Sequence, residues 1–286
     1  MELLKTENDL LVIEFLVNSL NTTIRNFLVS KKQENYKRKF FEILSEFYYT
    51  KFIDMKNTTV NIMINLINYK EQEDMEMLLN FLKKLHMNTK AGSLLRSNSE
   101  IIETKDDFKD LDLEGLSLKT KKRLVQAIFE ADYFNIKLKN ELWQIILGEN
   151  FNDKYFKFTL EAAQPDKDKK KAIWKKLVFE TGREKSKINQ AYMKSFAAKS
   201  QYSLMKNYFH EKFFQDFTEV RNKHSTDYCI KFFNHLKPTF IIQDDIMTQL
   251  DKLKVSLDRS DYQLINEVDR GKLLKLKSFL FSYHSY

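Results

Sequence analysis

The sequence predicts an all-α protein, built as an irregular α-solenoid in which consecutive helix pairs bury one another's apolar faces. Turn-forming residues are scarce, with five glycines and two prolines in 286 residues. β-Sandwiches, barrels and nucleotide-binding α/β folds need more of them. Apolar residues also recur three and four positions apart along most of the chain, which is the spacing of one helix face. About a dozen such segments, each too weak to stand alone, favour an array of mutually supporting helices.

The first predicted helix spans residues 8–29, where Val12, Leu16, Leu20 and Ile24 fall along one face. Its apolar side must pack against something. Three more helices are predicted before residue 88, and they span 34–53, 58–70 and 73–87. The short breaks between them are typical of antiparallel neighbours.

Residues 88–116 are predicted to be a connecting segment, because they lack helical periodicity and contain two glycines and an acidic run at 106–110. Helical patterns then resume, although no sharp repeat of the tetratricopeptide or ankyrin kind is visible. The remaining predicted helices span 118–131, 137–148, 152–163, 167–181, 184–198, 201–215, 217–236, 240–256 and 261–283. Ser260 and Gln263 have the spacing of a capping box at the start of the last one.

The chain therefore divides into N-terminal helical hairpins (1–87), an acidic connection (88–116) and a basic helical array (117–286), which together form one continuous solenoid. Residues 1–116 carry 16 Lys and Arg against 19 Asp and Glu, whereas residues 117–286 carry 32 against 21. A positive face of this kind suits nucleic acid, an anionic membrane or an acidic protein. The simpler interpretation, a solvated face of lysine-rich helices, is favoured.

A cytoplasmic location is expected. The single cysteine, Cys229, excludes an internal disulfide and a cysteine-rich metal site. The apolar run near the start of the chain is interrupted by acidic residues and follows no basic stretch, so it does not resemble a signal peptide. No window approaches the roughly 18 uncharged apolar residues of a membrane-spanning helix.

Motifs that would indicate catalysis are broken or missing. Residues 210–214, His-Glu-Lys-Phe-Phe, begin like a zinc-protease helix, but the second histidine that zinc needs four positions on is replaced by Phe214. The other four histidines show no ligand spacing, and Cys229 lies in an apolar stretch typical of a buried thiol. Neither a phosphate-binding glycine loop nor a hydrolase nucleophile elbow occurs in the sequence. We therefore expect no catalytic residue, no metal site and no cofactor.

A cluster of lysines around Trp174 is the best candidate for an anion-binding or peptide-carboxylate-binding surface. The residues chosen for this role are Lys169, Lys170, Lys171 and Lys175. Interleaved basic and aromatic residues hold single-stranded nucleic acid by charge and stacking. The alternative, which the sequence favours, is that Trp174 anchors the core and the lysines form its solvated side.

Four stretches of the sequence resemble one known family. Residues 160–174, Leu-Glu-Ala-Ala-Gln-Pro-Asp-Lys-Asp-Lys-Lys-Lys-Ala-Ile-Trp, resemble an Ala-Ala-x-Pro step followed by Lys and Trp that joins two helices. Residues 204–214 are similar to a Leu-x-x-x-Tyr segment that ends in paired aromatics, and residues 266–274 to a closing helix. Residues 3–9 resemble a Leu-x-x-x-Glu-x-Asp entry. In all four the likeness is to the C-terminal domain of the gluzincin aminopeptidases, which include aminopeptidase N and the puromycin-sensitive and endoplasmic-reticulum aminopeptidases.

This resemblance covers nearly the whole chain and implies a superhelix of HEAT-like or armadillo-like helix pairs. In the complete enzymes that superhelix closes over a zinc site built elsewhere. The present chain has no His-Glu-x-x-His motif, no distal glutamate ligand and no Gly-x-Met-Glu-Asn segment, so no catalytic residue of the family carries over. The likeness begins inside the family's domain, which predicts that the first helix lacks the neighbour it has in the enzymes.

An uncovered apolar face is an association site. We therefore expect the chain to pair with a protein partner through Val12, Leu16, Leu20 and Ile24, or through the concave face of the solenoid. The function predicted is that of a non-catalytic scaffold or interaction subunit. The alternatives are a piece of a split or truncated aminopeptidase that encloses peptide beside a zinc-bearing chain, and, less favoured, a basic nucleic-acid-binding protein.

Overall fold

The structure is a computed structural model, and every regular element that it describes is helical. The described residues are 4, 7, 9–26, 30–50, 55–67, 74–78, 80–81, 111, 113, 115–132, 134–209, 211–237, 244–257, 263–269 and 271. The predicted all-α class is therefore confirmed. The helices are α1 (Leu10–Asn26), α2 (Ser30–Thr50), α3 (Lys56–Leu66), α4 (Leu118–Glu130), α5 (Ile136–Leu147), α6 (Lys154–Ala163), α7 (Lys167–Phe179), α8 (Arg183–Phe196), α9 (Tyr202–Phe209), α10 (Glu211–Lys223), α11 (Thr226–Leu236) and α12 (Asp244–Val255).

The chain forms two compact units, Met1–Asn152 and Asp153–Tyr286. In the first unit α1 packs on α2 and α3, α3 packs on α4, and α4 packs on α5. The two units divide at residue 152. Of the predicted connection 88–116, residues 88–110, 112 and 114 lie outside the described residues. Within the first unit, α3 and α4 are bonded to each other. Asn57 Oδ1 accepts from the Ser117 backbone N–H at 2.7 Å and from Thr120 Oγ1 at 2.9 Å.

The second unit is organised around an aromatic core. The most extensive helix pair is α6 with α8, and α7 packs on α10 while α8 packs on α11. Trp174 is buried against Phe196 and Phe232, with ring centroids 5.6 and 5.7 Å away. Phe213 and Phe217 stack 5.9 Å apart. Burial of these large side chains supplies much of the driving force for folding of this unit.

Three helix pairs share a local pattern that sequence periodicity did not reveal. A polar residue caps the second helix of each pair: Asn135 for α5, Asp166 for α7 and Ser225 for α11. The residue four positions after each cap reaches back to at least one carbonyl group at the end of the preceding helix. In the first case Lys139 Nζ donates to the carbonyl oxygens of Phe129 at 3.0 Å and Ala131 at 2.5 Å.

The same position is occupied by Lys170 in the second pair and by Cys229 in the third. Lys170 Nζ donates to the carbonyl oxygens of Ala162 and Phe196. Cys229 Sγ lies 3.8 Å from the carbonyl oxygen of Val220. The two lysines thus satisfy backbone acceptors at helix ends, whereas the Val220 carbonyl near Cys229 already accepts from the His224 backbone N–H at 2.9 Å. The spacing of cap and reaching residue is a short structural repeat within an otherwise irregular sequence.

Two of the predicted helix boundaries are wrong. Two helices were predicted here, at 201–215 and 217–236, whereas the structure has three, α9, α10 and α11. The predicted break at residue 216 lies inside α10, which continues to Lys223. It ends there because Ser225 caps α11, its hydroxyl accepting from the Tyr228 backbone N–H. The capping box at residue 260 lies outside the described residues.

Candidate interaction surface

Helix α1 is held to the first unit by one face. Ile13 and Val17 are each 1% exposed and Ile24 is 2% exposed, and they lie where α1 meets α2 and α3. Asp9 begins the helix, because its carboxylate accepts from the backbone N–H groups of Leu11 at 2.8 Å and Val12 at 3.3 Å.

The opposite face of α1 exposes large apolar side chains in its first two turns and short polar ones after them. Leu11 is 76% exposed, Phe15 is 70% exposed and Val12 is 39% exposed. A shallow groove runs along this face for three turns, lined by Leu11, Glu14, Phe15, Asn18, Ser19, Thr22 and Thr23. Only two of the 17 residues of α1 are charged, against 31% in the whole chain. Depletion of charge together with an exposed aromatic residue is the composition of the core of a protein interface.

The predicted partner-binding residues do not share one environment. Val12 is exposed, Leu16 and Leu20 are half-buried, and Ile24 is buried within the unit. The residues that sequence reasoning missed are Leu11 and Phe15. Since nearly every position from 10 to 17 is apolar, a stripe can be drawn down more than one side of the helix, and periodicity alone cannot select the outward one.

The predicted lysine cluster also separates into different environments. Lys170 is fully buried, and Lys169 Nζ donates to Gln164 Oε1 at 2.6 Å. Only Lys171 and Lys175, four residues apart on α7, are exposed. Trp174 is 1% exposed, and its Nε1–H donates to Asp216 Oδ2 at 2.5 Å. Trp174 is therefore a core residue, and its indole offers no stacking surface to a ligand.

An exposed aromatic residue does lie at the end of the same helix. Phe179, four residues after Lys175, is 49% exposed. The Lys223 ammonium lies 4.7 Å from its ring centroid, which is a cation–π contact, and also 3.3 Å from Glu219. The outer face of α7 thus presents Lys171, Lys175 and Phe179 at helical spacing.

Two titratable side chains from neighbouring residues lie within hydrogen-bond distance of carbonyl oxygens of this helix. Tyr228 donates its hydroxyl to the Leu177 carbonyl oxygen at 2.7 Å, and burial raises its pKa. His224 stacks on the Tyr228 ring with centroids 4.1 Å apart, and its Nε2 is 3.1 Å from the Val178 carbonyl oxygen. Burial lowers the pKa of His224, partly offset by that hydrogen bond and reinforced by the neighbouring Lys223 charge.

The described part of the helix that carries the broken zinc-protease motif contributes to the core. His210 lies outside the described residues, whereas Phe213 and Phe217 are fully buried. Within the described ranges, no three His, Cys, Asp or Glu side chains converge in the way that a metal ion needs. None of the helices in those ranges has the length and apolar character to cross a membrane.

No model of a known protein family matches the chain, and no curated protein matches it. The likeness to the aminopeptidase C-terminal domain therefore stays a prediction from the sequence stretches quoted above.

Proposed function

We propose that this chain is a non-catalytic helical interaction subunit, which binds an apolar segment of a partner protein along the outward face of α1. The observation that carries the proposal is the exposure of Leu11 and Phe15 on a helix whose other face is buried. A helix needs only one apolar face to pack on its own unit. A second apolar face that remains open marks an association site.

The expected occupant is an amphipathic helix or apolar segment of another protein. The groove beyond Phe15 is lined by short uncharged side chains, Asn18, Ser19 and Thr22, which allow a close approach without desolvating a charge. Burying a leucine or phenylalanine side chain contributes about 1.5–3 kcal/mol. Leu11 and Phe15 can therefore supply the central anchors of a binding site, where a few large residues carry most of the energy.

Photocrosslinking tests this proposal directly. p-Benzoylphenylalanine is placed at position 15 of the full chain in its native cells, and crosslinked species are isolated and identified by mass spectrometry. We expect one defined partner, crosslinked through an apolar segment. The same group at Lys187, which is exposed in the second unit, serves as the control and is expected not to crosslink to that protein.

A matched pair of substitutions measures the energy. Phe15→Asp is expected to reduce recovery of the crosslinked partner at least tenfold, since it removes an apolar anchor and places a charge in the groove. Leu118→Asp is the control, because Leu118 is 53% exposed on another helix. Equal recovery with both folded variants would contradict the proposal. The proposal would also be contradicted if the pure protein self-associates and Phe15→Asp abolishes that self-association. The groove would then bind a second copy of the chain.

From the resemblance to zinc aminopeptidases we propose further that the subunit is an aminopeptidase-like solenoid retained as a scaffold. An aminopeptidase assay on the isolated complex tests it. Hydrolysis of an aminoacyl substrate by a partner that carries His-Glu-x-x-His would favour the split-enzyme alternative instead. A structural partner without hydrolysis would favour the scaffold.

A further inference from the structure

A row of asparagines on α3 faces the start of α4 in the first unit. Asn57, Asn61 and Asn65 are four residues apart and therefore lie on one side of the helix. Asn57 binds Ser117 and Thr120, as described above. Asn61 Nδ2 donates to Thr120 Oγ1 at 3.0 Å and to the Asn57 carbonyl oxygen at 2.7 Å. These bonds fix which way the Asn61 amide points, so its Oδ1 faces α4.

The asparagine oxygens hold the guanidinium of Arg123. Its Nη1 donates to Asn61 Oδ1 at 3.0 Å, and its Nη2 donates to Asn65 Oδ1 at 2.7 Å. A planar guanidinium bound at both terminal nitrogens by residues on successive helix turns has little freedom to reorient. Arg123 is thus positioned before any ligand arrives.

Among the residues that the structure describes, none neutralises the charge of Arg123. Both bonding partners are neutral amides, and among the described residues no carboxylate oxygen lies within 4.0 Å of the guanidinium. A guanidinium has five N–H donors, of which two are used. The side chain is half-buried. A charge at a partly buried position interacts more strongly with an opposite charge than one in bulk water does.

We propose that Arg123, positioned by Asn61 and Asn65, binds a carboxylate side chain in an acidic segment of a partner protein. The guanidinium fork matches a carboxylate in a bidentate geometry. Lys119, one turn earlier on α4 and exposed, adds a second cation on the same side of the helix.

Charge balance favours an acidic peptide over a nucleic acid. Residues 1–152 carry 22 Lys and Arg against 23 Asp and Glu, so this unit has no overall positive field to track a polyanion. A single oriented guanidinium can form an ion pair with a single carboxylate. The inference stands independently of the proposed function, because it uses none of the residues of the α1 groove.

The test is fluorescence anisotropy with the full-length protein at low ionic strength. The probe is a labelled eight-residue peptide of alternating glutamate and serine, acetylated and amidated at its ends so that only side-chain carboxylates are available. We expect the unsubstituted protein to bind it. Arg123→Gln should weaken the affinity at least tenfold, and Arg123→Lys should weaken it by less, because charge is kept while the fork is lost.

Asn65→Asp is the decisive variant, because it supplies an internal carboxylate at the distance of the present amide. It should keep α3 and α4 together through the new ion pair and still weaken peptide binding at least tenfold. Circular dichroism and the melting temperature of each variant establish that it is folded. Lys206→Gln is the matched control, since it removes one exposed positive charge in the second unit and should change the affinity less than twofold.

Three results would overturn the proposal. One is no binding of the acidic peptide by the unsubstituted protein at millimolar concentration. Another is equal weakening by Arg123→Gln and Lys206→Gln, which would assign binding to net charge. The last is tighter binding of an eight-nucleotide oligothymidylate that Arg123→Gln and Asn65→Asp abolish, which would make this a nucleic-acid site.

Discussion

Lys170 and Phe196 face each other inside the second unit. The Lys170 ammonium donates to the Phe196 carbonyl oxygen at 2.8 Å and lies 5.0 Å from the centroid of its ring. The same ammonium donates to the carbonyl oxygen of Ala162. One fully buried cation therefore closes the C-terminal ends of both α6 and α8, where the helix dipole favours positive charge.

This arrangement predicts a large loss of stability for Lys170→Met. The methionine keeps most of the volume but leaves buried carbonyl groups without their donor, and each such group costs about 1–3 kcal/mol. We expect the free energy of unfolding to fall by about 2–4 kcal/mol in urea denaturation. Lys171→Met, at the exposed neighbouring position, should change it by less than about 0.5 kcal/mol. Similar values for the two variants would mean that Lys170 does not stabilise the helix ends.

The cap of α7 predicts a smaller effect. Asp166 Oδ1 accepts from the backbone N–H groups of Asp168 and Lys169, both at 3.0 Å. Asp166→Ala removes both bonds and should lower the free energy of unfolding by about 1 kcal/mol. Asp166→Asn retains an acceptor and should cost much less. Equal losses in the two variants would assign the effect to the carboxylate charge rather than to capping.

The contrast between Lys170 and Lys171 shows what periodicity can and cannot predict. The all-α class and most helix positions follow from apolar spacing, which reports burial averaged over many residues. Within the run 169–171, however, three identical side chains meet Gln164, the interior and solvent respectively. Which lysine turns inward depends on where the ends of α6 and α8 lie, and that is a tertiary relationship.

Apolar spacing also fails to predict which face of α1 is exposed. Leu11 and Phe15 are exposed whereas Ile13 and Val17 are buried, although all four are large and apolar. The break between α10 and α11 was missed because apolar spacing continues across it, and the residue that marks it is the N-cap Ser225. The Arg123 site had no sequence signal beyond asparagines spaced four apart, since its character depends on contacts between α3 and α4.

The exposed face of α7 predicts salt-sensitive binding of polyanions. Lys171 and Lys175 are both exposed and lie one turn apart, beside the exposed ring of Phe179. Lys171→Gln with Lys175→Gln should lower the salt concentration at which the protein elutes from a phosphocellulose column by more than Lys206→Gln with Lys252→Gln does. The control pair removes the same number of exposed charges. Equal shifts in the eluting salt concentration would mean that the α7 face binds polyanions no better than any other two exposed charges do.

A filter-binding assay tests the nucleic-acid alternative. Filter binding of a labelled single-stranded oligonucleotide at two salt concentrations should show affinity that falls steeply with salt if α7 binds nucleic acid. No retention at the lower salt concentration would dismiss this alternative.

His224 predicts a dependence of stability on pH. Burial lowers its pKa below the ordinary value of 6.5, so the folded protein favours the neutral imidazole. A histidine with a lower pKa in the folded state binds fewer protons there than in the unfolded state. Its stabilising contribution is therefore complete above pH 6.5 and is lost as the pH falls through 6.5 and then through the lower native value.

We expect the free energy of unfolding to decline between about pH 6.5 and 5, before protonation of carboxylates dominates. His224→Gln keeps a group that can donate to the Val178 carbonyl oxygen but cannot titrate, so it should flatten the decline in that window. His224→Gln with a slope equal to that of the unsubstituted protein would show that another group is responsible. His235, in the last turn of α11, is the next histidine to replace in that case.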